Sequence, residues 1–436
     1  MIPESPTAHA PTTDPHLTFA RRMDRIDGLA HLRERFVGID PGSEPAVLAY
    51  LDGNSLGRPT KASVTAIADF VANGWGTRLI RGWDEGWSAL PFTIGDQLGR
   101  AALGAAPGQV FIGDSTSVLL YKLVRAATDP ATSAGRGRDE IVVDTDNFPT
   151  DRWVVEGIAA ERGASIRWIV PDPAAGVTEE QVRQAVGPRT ALVLLSHVAY
   201  RSGFLADLPA ITAAVHEAGA LVLWDLCHSV GSVPIELDRH GVDLAVGCTY
   251  KYLNGGPGSP AFAYVRADLQ NHLAQPIRGW AGAEEPFEMG PEFVPAAGIR
   301  RFQSGTPPVV GMLAMRDTIA MIEEAGIAEV REKSLALTEF AIALADEWLA
   351  PMGVVLASPR HPERRGGHIL LRHPAMRQVV ATLWQHDVLP DFRTPDALRV
   401  GLAPLSTSFV EVHTGMAAIR DVLRGILLAR TGLLPG

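Results

Sequence analysis

Two side chains in this sequence have the types and the setting of a chemistry that needs both. Lys251 stands in Cys248-Thr249-Tyr250-Lys251-Tyr252-Leu253-Asn254-Gly255-Gly256-Pro257-Gly258, and Asp225 closes the apolar run Ala220-Leu221-Val222-Leu223-Trp224. A carboxylate at a buried strand end is costly unless something pairs with it. A lysine between two tyrosines, ahead of a glycine-rich loop, has the setting of an amine that holds an aldehyde as a Schiff base. Pyridoxal 5′-phosphate (PLP) asks for both groups. The carboxylate keeps its pyridine nitrogen protonated, and the lysine holds its aldehyde. The pair predicts an enzyme acting on an amino acid.

Other residues fit the same chemistry. Gly113-Asp114-Ser115-Thr116-Ser117 lies between the run Val110-Phe111-Ile112 and a helical pattern over Val118 to Ala127. Small and hydroxyl residues at a strand-to-helix turn make a phosphate cradle, because helix N–H groups point at the anion. In Phe148-Pro149-Thr150-Asp151 the aromatic can stack on a pyridine ring, and Asp151 can hydrogen-bond nearby. His228, three residues after Asp225, can reach the carboxylate or the phosphate. Arg399, in the apolar run Ala397-Leu398-Arg399-Val400-Gly401, needs an anion if buried. A substrate carboxylate or an internal ion pair would serve.

These residues must be positioned by elements that the pattern also predicts. Short apolar runs at Val110–Ile112, Ile141–Val143, Ile166–Val170, Thr190–Leu195, Leu221–Trp224, Leu244–Gly247 and Ala261–Val265 read as buried strands. Between them lie amphipathic stretches such as Arg152–Arg162 and Leu208–Ala218. Repeated strand–helix units of this kind imply an α/β fold, a mostly parallel sheet covered by helices. Ligands of such sheets bind beyond the carboxyl ends of the strands, where Asp114, Asp146, Ser196, Asp225 and Thr249 fall. A long helical pattern from Val310 to Ala343 breaks near Gly326, and short strand-like and helical pieces follow Pro351. The expected division is an N-terminal arm and segment over 1–60 that packs with the small domain, a large PLP-binding domain over 61–320, and a small α+β domain over 321–436.

Bulk properties narrow the function further. The chain has 436 residues, 46% hydrophobic and 20% charged, with a net charge of −10. That composition fits a globular protein with a sizeable core. The negative charge argues against nucleic acid or an anionic membrane as partner. The two cysteines, Cys227 and Cys248, exclude a disulfide framework and a four-cysteine zinc site. They read as small buried fillers, and no metal is expected. Met1 to His16 has no basic or apolar signal region and reads as a frayed arm. A cytoplasmic enzyme is expected.

From about Tyr50 to about Val412 the chain resembles kynureninase, a PLP-dependent enzyme of fold type I in the class V aminotransferase-like group. The resemblance rests on Tyr50-Leu51-Asp52-Gly53-Asn54-Ser55-Leu56-Gly57, Asn147-Phe148-Pro149-Thr150-Asp151, Leu223-Trp224-Asp225-Leu226-Cys227-His228-Ser229 and the Lys251 segment. It implies a seven-stranded-type sheet and a small C-terminal α+β domain. It implies catalytic roles for Lys251, Tyr250 and Asp225, with Phe148 on the ring. Thr116, Ser117, Tyr250, Trp280 and Thr306 would gather about the phosphate, and Asp151, Ser196 and His228 would complete the cofactor shell. Arg399 would bind the α-carboxylate, with Ser55 and Trp75 toward the aryl end. The site would lie at a homodimer interface, with Trp280 and Thr306 arriving from the partner.

The implied reaction is hydrolysis of the Cβ–Cγ bond of L-kynurenine or L-3-hydroxykynurenine. The products would be L-alanine plus anthranilate or its 3-hydroxy form, in tryptophan degradation and NAD biosynthesis. The chain departs from the family pattern at Gly279-Trp280-Ala281-Gly282-Ala283, where an aromatic and a histidine are usual, and at Pro404-Leu405-Ser406, where a tyrosine is usual. The competing readings are an enzyme of secondary metabolism acting on a substituted 3-hydroxykynurenine, an aminotransferase of the same fold, a PLP-fold relative that keeps the cofactor but serves as a binding or regulatory protein, and a cysteine desulfurase. The last wants a cysteine on a late loop, and none follows Cys248.

Overall fold

Seven apolar runs become the strands of one sheet: β1 (Val110–Gly113), β2 (Glu140–Asp144), β3 (Ser165–Ile169), β4 (Thr190–Ser196), β5 (Leu221–Asp225), β6 (Leu244–Gly247) and β7 (Ala261–Val265). The computed structural model describes residues 14–39, 47–130 and 137–431. The strands lie in the order β1-β7-β6-β5-β4-β2-β3. All pairings are parallel except those of β7, which runs against both neighbours. Alternate side chains feed two cores. Val193, Leu195, Val222 and Trp224 enter one, and Leu192, Leu194, Leu221 and Leu223 the other. A sheet covered on both faces has no polar side, hence the near-continuous apolar runs.

β3 corrects one expectation. The run Ile166–Val170 was read as a buried strand, but β3 is the sheet edge, where Arg167 and Trp168 are exposed and Ile169 alone is buried.

The helices that matter to the site are α1 (Thr116–Ala127), α2 (Pro149–Arg162) and α3 (Leu208–Glu217). Ser115 accepts from Val118 N–H and caps α1, and Pro149 opens α2 where no N–H is needed. After the break at Gly326 (φ 79°), where the left-handed region favours glycine, α4 (Ile327–Leu344) leads into a second core. There β8 (Val355–Leu356), β9 (His368–Arg372), β10 (Asp391–Arg393) and β11 (Ala397–Gly401) form an antiparallel sheet in the order β10-β11-β9-β8, flanked by α5 (Phe409–Thr431).

Ala20, Ala49 and Leu51 join this second core, whereas Leu29, Leu32 and Phe36 pack into the first. The frayed arm expected over Met1–His16 falls mostly outside the described residues. Its last three are ordered, since Asp14 caps the helix Pro15–Ile26 through His16 and Leu17 N–H.

Residues 51–58 bridge the two cores. Gly401 N–H donates to Leu51 O at 2.6 Å, and Gly53 N–H to Gly401 O at 3.2 Å. At the other end Gly57 N–H donates to Tyr250 O at 2.8 Å, and Asn254 Nδ2 to Arg58 O at 2.9 Å. The approach explains Gly57: a Cβ there would lie 2.3 Å from Lys251 O and 2.4 Å from Asn254 Nδ2. Among the described residues no helix is long and apolar enough to cross a membrane.

Candidate active site

The carboxyl ends of β1, β2, β4, β5 and β6 open onto one cavity of about 160 Å³. Thr116, Ser117, Phe148, Asp151, Ser196, Asp225, His228, Tyr250 and Lys251 all line it. The sheet thus gathers nine predicted site residues spread over more than 130 positions of sequence.

The floor is acidic. Asp225 ends β5 and is buried, and its Oδ1 accepts from Cys227 N–H at 2.7 Å. Asp151, in the first turn of α2, is hydrogen-bonded to it. Burial first, then the charge of Asp225, pushes the Asp151 carboxyl well above the usual range. Two adjacent carboxylates cannot both ionise cheaply, so Asp151 keeps its proton. Asp151 Oδ2 is buried without a partner.

Above the acids, Lys251 Nζ donates to His228 Nε2 at 2.8 Å. Burial and then the charges of Lys251 and Arg399 hold His228 well below its ordinary pKa. The ring is neutral and accepts at Nε2, because an ammonium can only donate. His228 Nδ1 is buried and unpartnered. His368 of β9 stands behind, ring centres 5.4 Å apart, also kept neutral by burial. Tyr250 is half-exposed, its ring 5.8 Å from Lys251 Nζ. Burial, then the neighbouring thiols Cys248 and Cys227, push its phenol far up, so it stays protonated and can donate.

The opposite end of the cavity suits an anion. The first N–H groups of α1, at Thr116 and Ser117, have no partner within the helix and face the positive end of its dipole. The turn before them is tied down: Asp114 takes a left-handed φ of 46°, and Lys122 Nζ donates to Asp114 Oδ2 at 2.5 Å and to Phe302 O at 2.8 Å.

Several residues at this site have contacts that the sequence did not lead one to expect. Asn147 Oδ1 accepts from Ser196 Oγ at 2.7 Å and from Phe148 N–H at 2.8 Å, so one buried amide sets both neighbours. Tyr200 lines the cavity and meets Phe148 edge-on at 5.4 Å. Cys227 is buried as expected, but it also lines the cavity, and its sulfur accepts from Cys248 N–H at 3.2 Å. The place of Asn147 before Phe148 was the available signal.

Arg399 lies apart from the cavity lining. It is fully buried, and its guanidinium donates to Asp391 Oδ2 at 2.8 Å, to Tyr200 O at 2.6 Å and to Ser55 Oγ. Asp391 sits directly opposite Arg399 in the β10–β11 register, and Asp52 is 3.6 Å away. The anion that buried Arg399 requires is therefore supplied within the chain. Trp75 (54% exposed), Trp280 (39%) and Thr306 lie on the surface, away from this chain's cavity.

Comparison with known proteins fits this arrangement. The family model of the kynureninase C-terminal domain matches residues 330–419, and that of aminotransferase class-V matches 122–368. A kynureninase of Burkholderia pseudomallei (strain 1106a) is 40% identical over 93% of this chain and 94% of the relative. One from Pseudomonas fluorescens is 38% identical over 92% and 94%. Among solved structures, a C-DES mutant with glycine covalently linked to its PLP cofactor aligns with a TM-score of 0.76 at 19% identity, over 89% of this chain and 99% of the other. The apo cysteine desulfurase of Thermococcus onnurineus NA1 gives 0.74 at 17% identity, over 86% and 95%. These structural matches establish the shared PLP fold type I.

Proposed function

The chain belongs to the kynureninase family, and from that premise we propose that its cavity hydrolyses the Cβ–Cγ bond of L-kynurenine, L-3-hydroxykynurenine or both. The products are L-alanine and the corresponding anthranilate. The observation that carries this reading is the buried Asp151–Asp225 pair facing the lysine–histidine contact across one cavity.

PLP is the cofactor of this family, and the residues present fit it. A ring N–H would give the buried acidic floor of Asp225 and Asp151 a donor. Lys251 is the amine that would bind the cofactor's aldehyde. Thr116, Ser117 and Tyr250 would hold the phosphate, Phe148 would cover the ring face, and Ser196 and His228 would complete the shell. When bound, PLP supplies a protonated ring that accepts the electron pair released at the substrate Cα.

The chain's own groups do the rest. Lys251 Nζ moves the Cα proton, and neutral His228, accepting from it at 2.8 Å, holds it in place between transfers. Tyr250, kept protonated, gives its proton to the substrate carbonyl oxygen as water adds to that carbon and takes a proton back from the resulting hydroxyl as the carbon–carbon bond breaks, while the proton lost by the water ends on the departing Cβ. Arg399 receives the α-carboxylate, with Ser55 and, from outside this chain's cavity, Trp75 toward the aryl group. Asp391 then has to share further a guanidinium that also meets Ser55 and the Tyr200 carbonyl here.

We further propose a cytoplasmic homodimer acting in tryptophan degradation. The segments carrying Trp280 and Thr306 are packed together, Ala281 N–H donating to Ser304 O at 3.3 Å, and both residues face outward. That is the posture of residues offered to a second copy's cavity.

The test is turnover of L-kynurenine and L-3-hydroxykynurenine side by side by the PLP-loaded protein, with anthranilates and alanine measured. Formation of both products from either substrate is expected. Oxo-acid-dependent amino transfer with no anthranilate would overturn the reading.

A further inference from the structure

Two helices that begin at the cofactor cavity end at another. α1 and α2 point their first turns at the PLP site, and their last turns carry Arg125 and Arg162. With 12 residues in α1, the far end is about 18 Å away. There Arg125 and Arg162 line a cavity of about 370 Å³ together with Arg278 and Arg301 from the segment after β7. Asp129 is the one carboxylate among the lining residues. This concentration of positive charge stands in a chain with a net charge of −10.

The chain's own anions and carbonyls use these guanidinium groups only in part. Arg125 Nη1 meets Glu161 at 3.3 Å, and Arg162 Nη1 donates to Thr128 O at 2.6 Å, with Asp129 at 3.9 Å from Nη2. The Nε atoms of Arg125 and Arg162 are buried and have no partner among the described residues. Arg301 is spent on backbone, donating to Ala296 O and Gln270 O at 3.0 Å each. Arg278 is exposed, its guanidinium 6.0 Å from the Phe293 ring centre. Burial, and then repulsion from Arg125, lowers the pKa of Arg162.

Helix C-termini account for Arg125 and Arg162, since cations are favoured there. They do not account for Arg278 and Arg301. After Asp129 the sequence carries Arg136 and Arg138 before its next carboxylate, Asp139, and Asp139 is paired with Arg189.

We propose that this second cavity binds a small polyanion, a metabolite bearing two or more negative charges on phosphate or carboxylate groups. Arg278 and Arg162 meet the charges, Arg125 holds Glu161, and Phe293, Leu273 and Pro295 supply an apolar wall. Such a ligand relieves like-charge repulsion among partly desolvated cations.

The test uses PLP-loaded protein, so that the cofactor's phosphate site is filled. Thermal unfolding and calorimetric titration are run with pyrophosphate and with citrate, against sodium chloride of matched ionic strength. A saturable stabilisation is expected with at least one of the two, and their ranking distinguishes phosphate from carboxylate ligands. Arg278→Ala and Arg162→Gln should each weaken that binding at least tenfold. Arg278 is exposed, so its variant keeps the test valid even where Arg162→Gln folds poorly. Stabilisation no greater than that given by sodium chloride, or equal binding by Arg278→Ala, would overturn the proposal.

Discussion

Around Lys251, buried polar atoms have bonds unmade: Asp151 Oδ2, His228 Nδ1 and Asn147 Nδ2 all lack partners among the described residues. Around Arg399, Asp391, Ser55 and the Tyr200 carbonyl already meet the guanidinium. The first region is laid out for a resident group that arrives once and stays. The second is closed on itself, its guanidinium already met from within the chain. The difference follows from architecture. The lysine side stands on the ends of one rigid parallel sheet, whereas the arginine side is a β-hairpin in which Asp391 and Arg399 are cross-strand neighbours.

Four measurements press on that contrast. Lys251→Ala is the most severe, with turnover expected to fall by about four orders of magnitude or more while the fold persists; circular dichroism beside the activity assay checks both. Asp151→Asn comes next. Asparagine cannot share a proton with Asp225 as an acid does, and losing such a buried hydrogen bond costs about 2 kcal/mol. PLP affinity, titrated by absorbance, should fall about thirtyfold. An unchanged affinity would mean that Asp151 plays no part in holding the ring.

Asp391→Asn separates the two regions. If Asp391 competes with the substrate for Arg399, KM should fall several-fold at constant kcat, even as the loss of a buried ion pair lowers Tm. A rise in KM would show instead that Asp391 aims the arginine.

The smallest effect is in pH. Burial, outweighing the opposing pull of Arg399, lifts the Asp52 carboxyl to about 6. Burial and then Asp146 lift Asp144 to about 7. In the unfolded chain both titrate near 4. Between about pH 4 and pH 7 the folded protein therefore binds more protons than the unfolded chain, and these two groups make it less stable as pH rises. Asp52→Asn should flatten the fall of Tm between pH 4 and pH 6, and an unaltered slope would remove Asp52 from the account.

The lysine side was largely legible in the sequence because each of its residues follows a strand that announces itself as an apolar run. Strand ends of a parallel sheet converge on one edge, so local patterns were enough to place Asp225, Ser196 and Lys251 together. The arginine side was not legible in the same way. That Asp391 satisfies Arg399 depends on a hairpin register, and a shift of one residue would have turned either side chain to the other face. The role of residues 51–58 was hidden for a related reason: Gly57 contributes by the absence of a side chain, which no periodicity records. The arginine cavity draws on segments more than 100 positions apart, such as those of Arg125 and Arg278, each ordinary alone.

That bridging segment has a mechanical consequence. Its backbone is fastened to β11 at Gly53 and to the carbonyl next to Lys251 at Gly57. Five residues of chain thus join the strand that carries Arg399 to the loop that carries Lys251. The segment is a tie-rod: it sets how far apart the backbones of those two residues can stand.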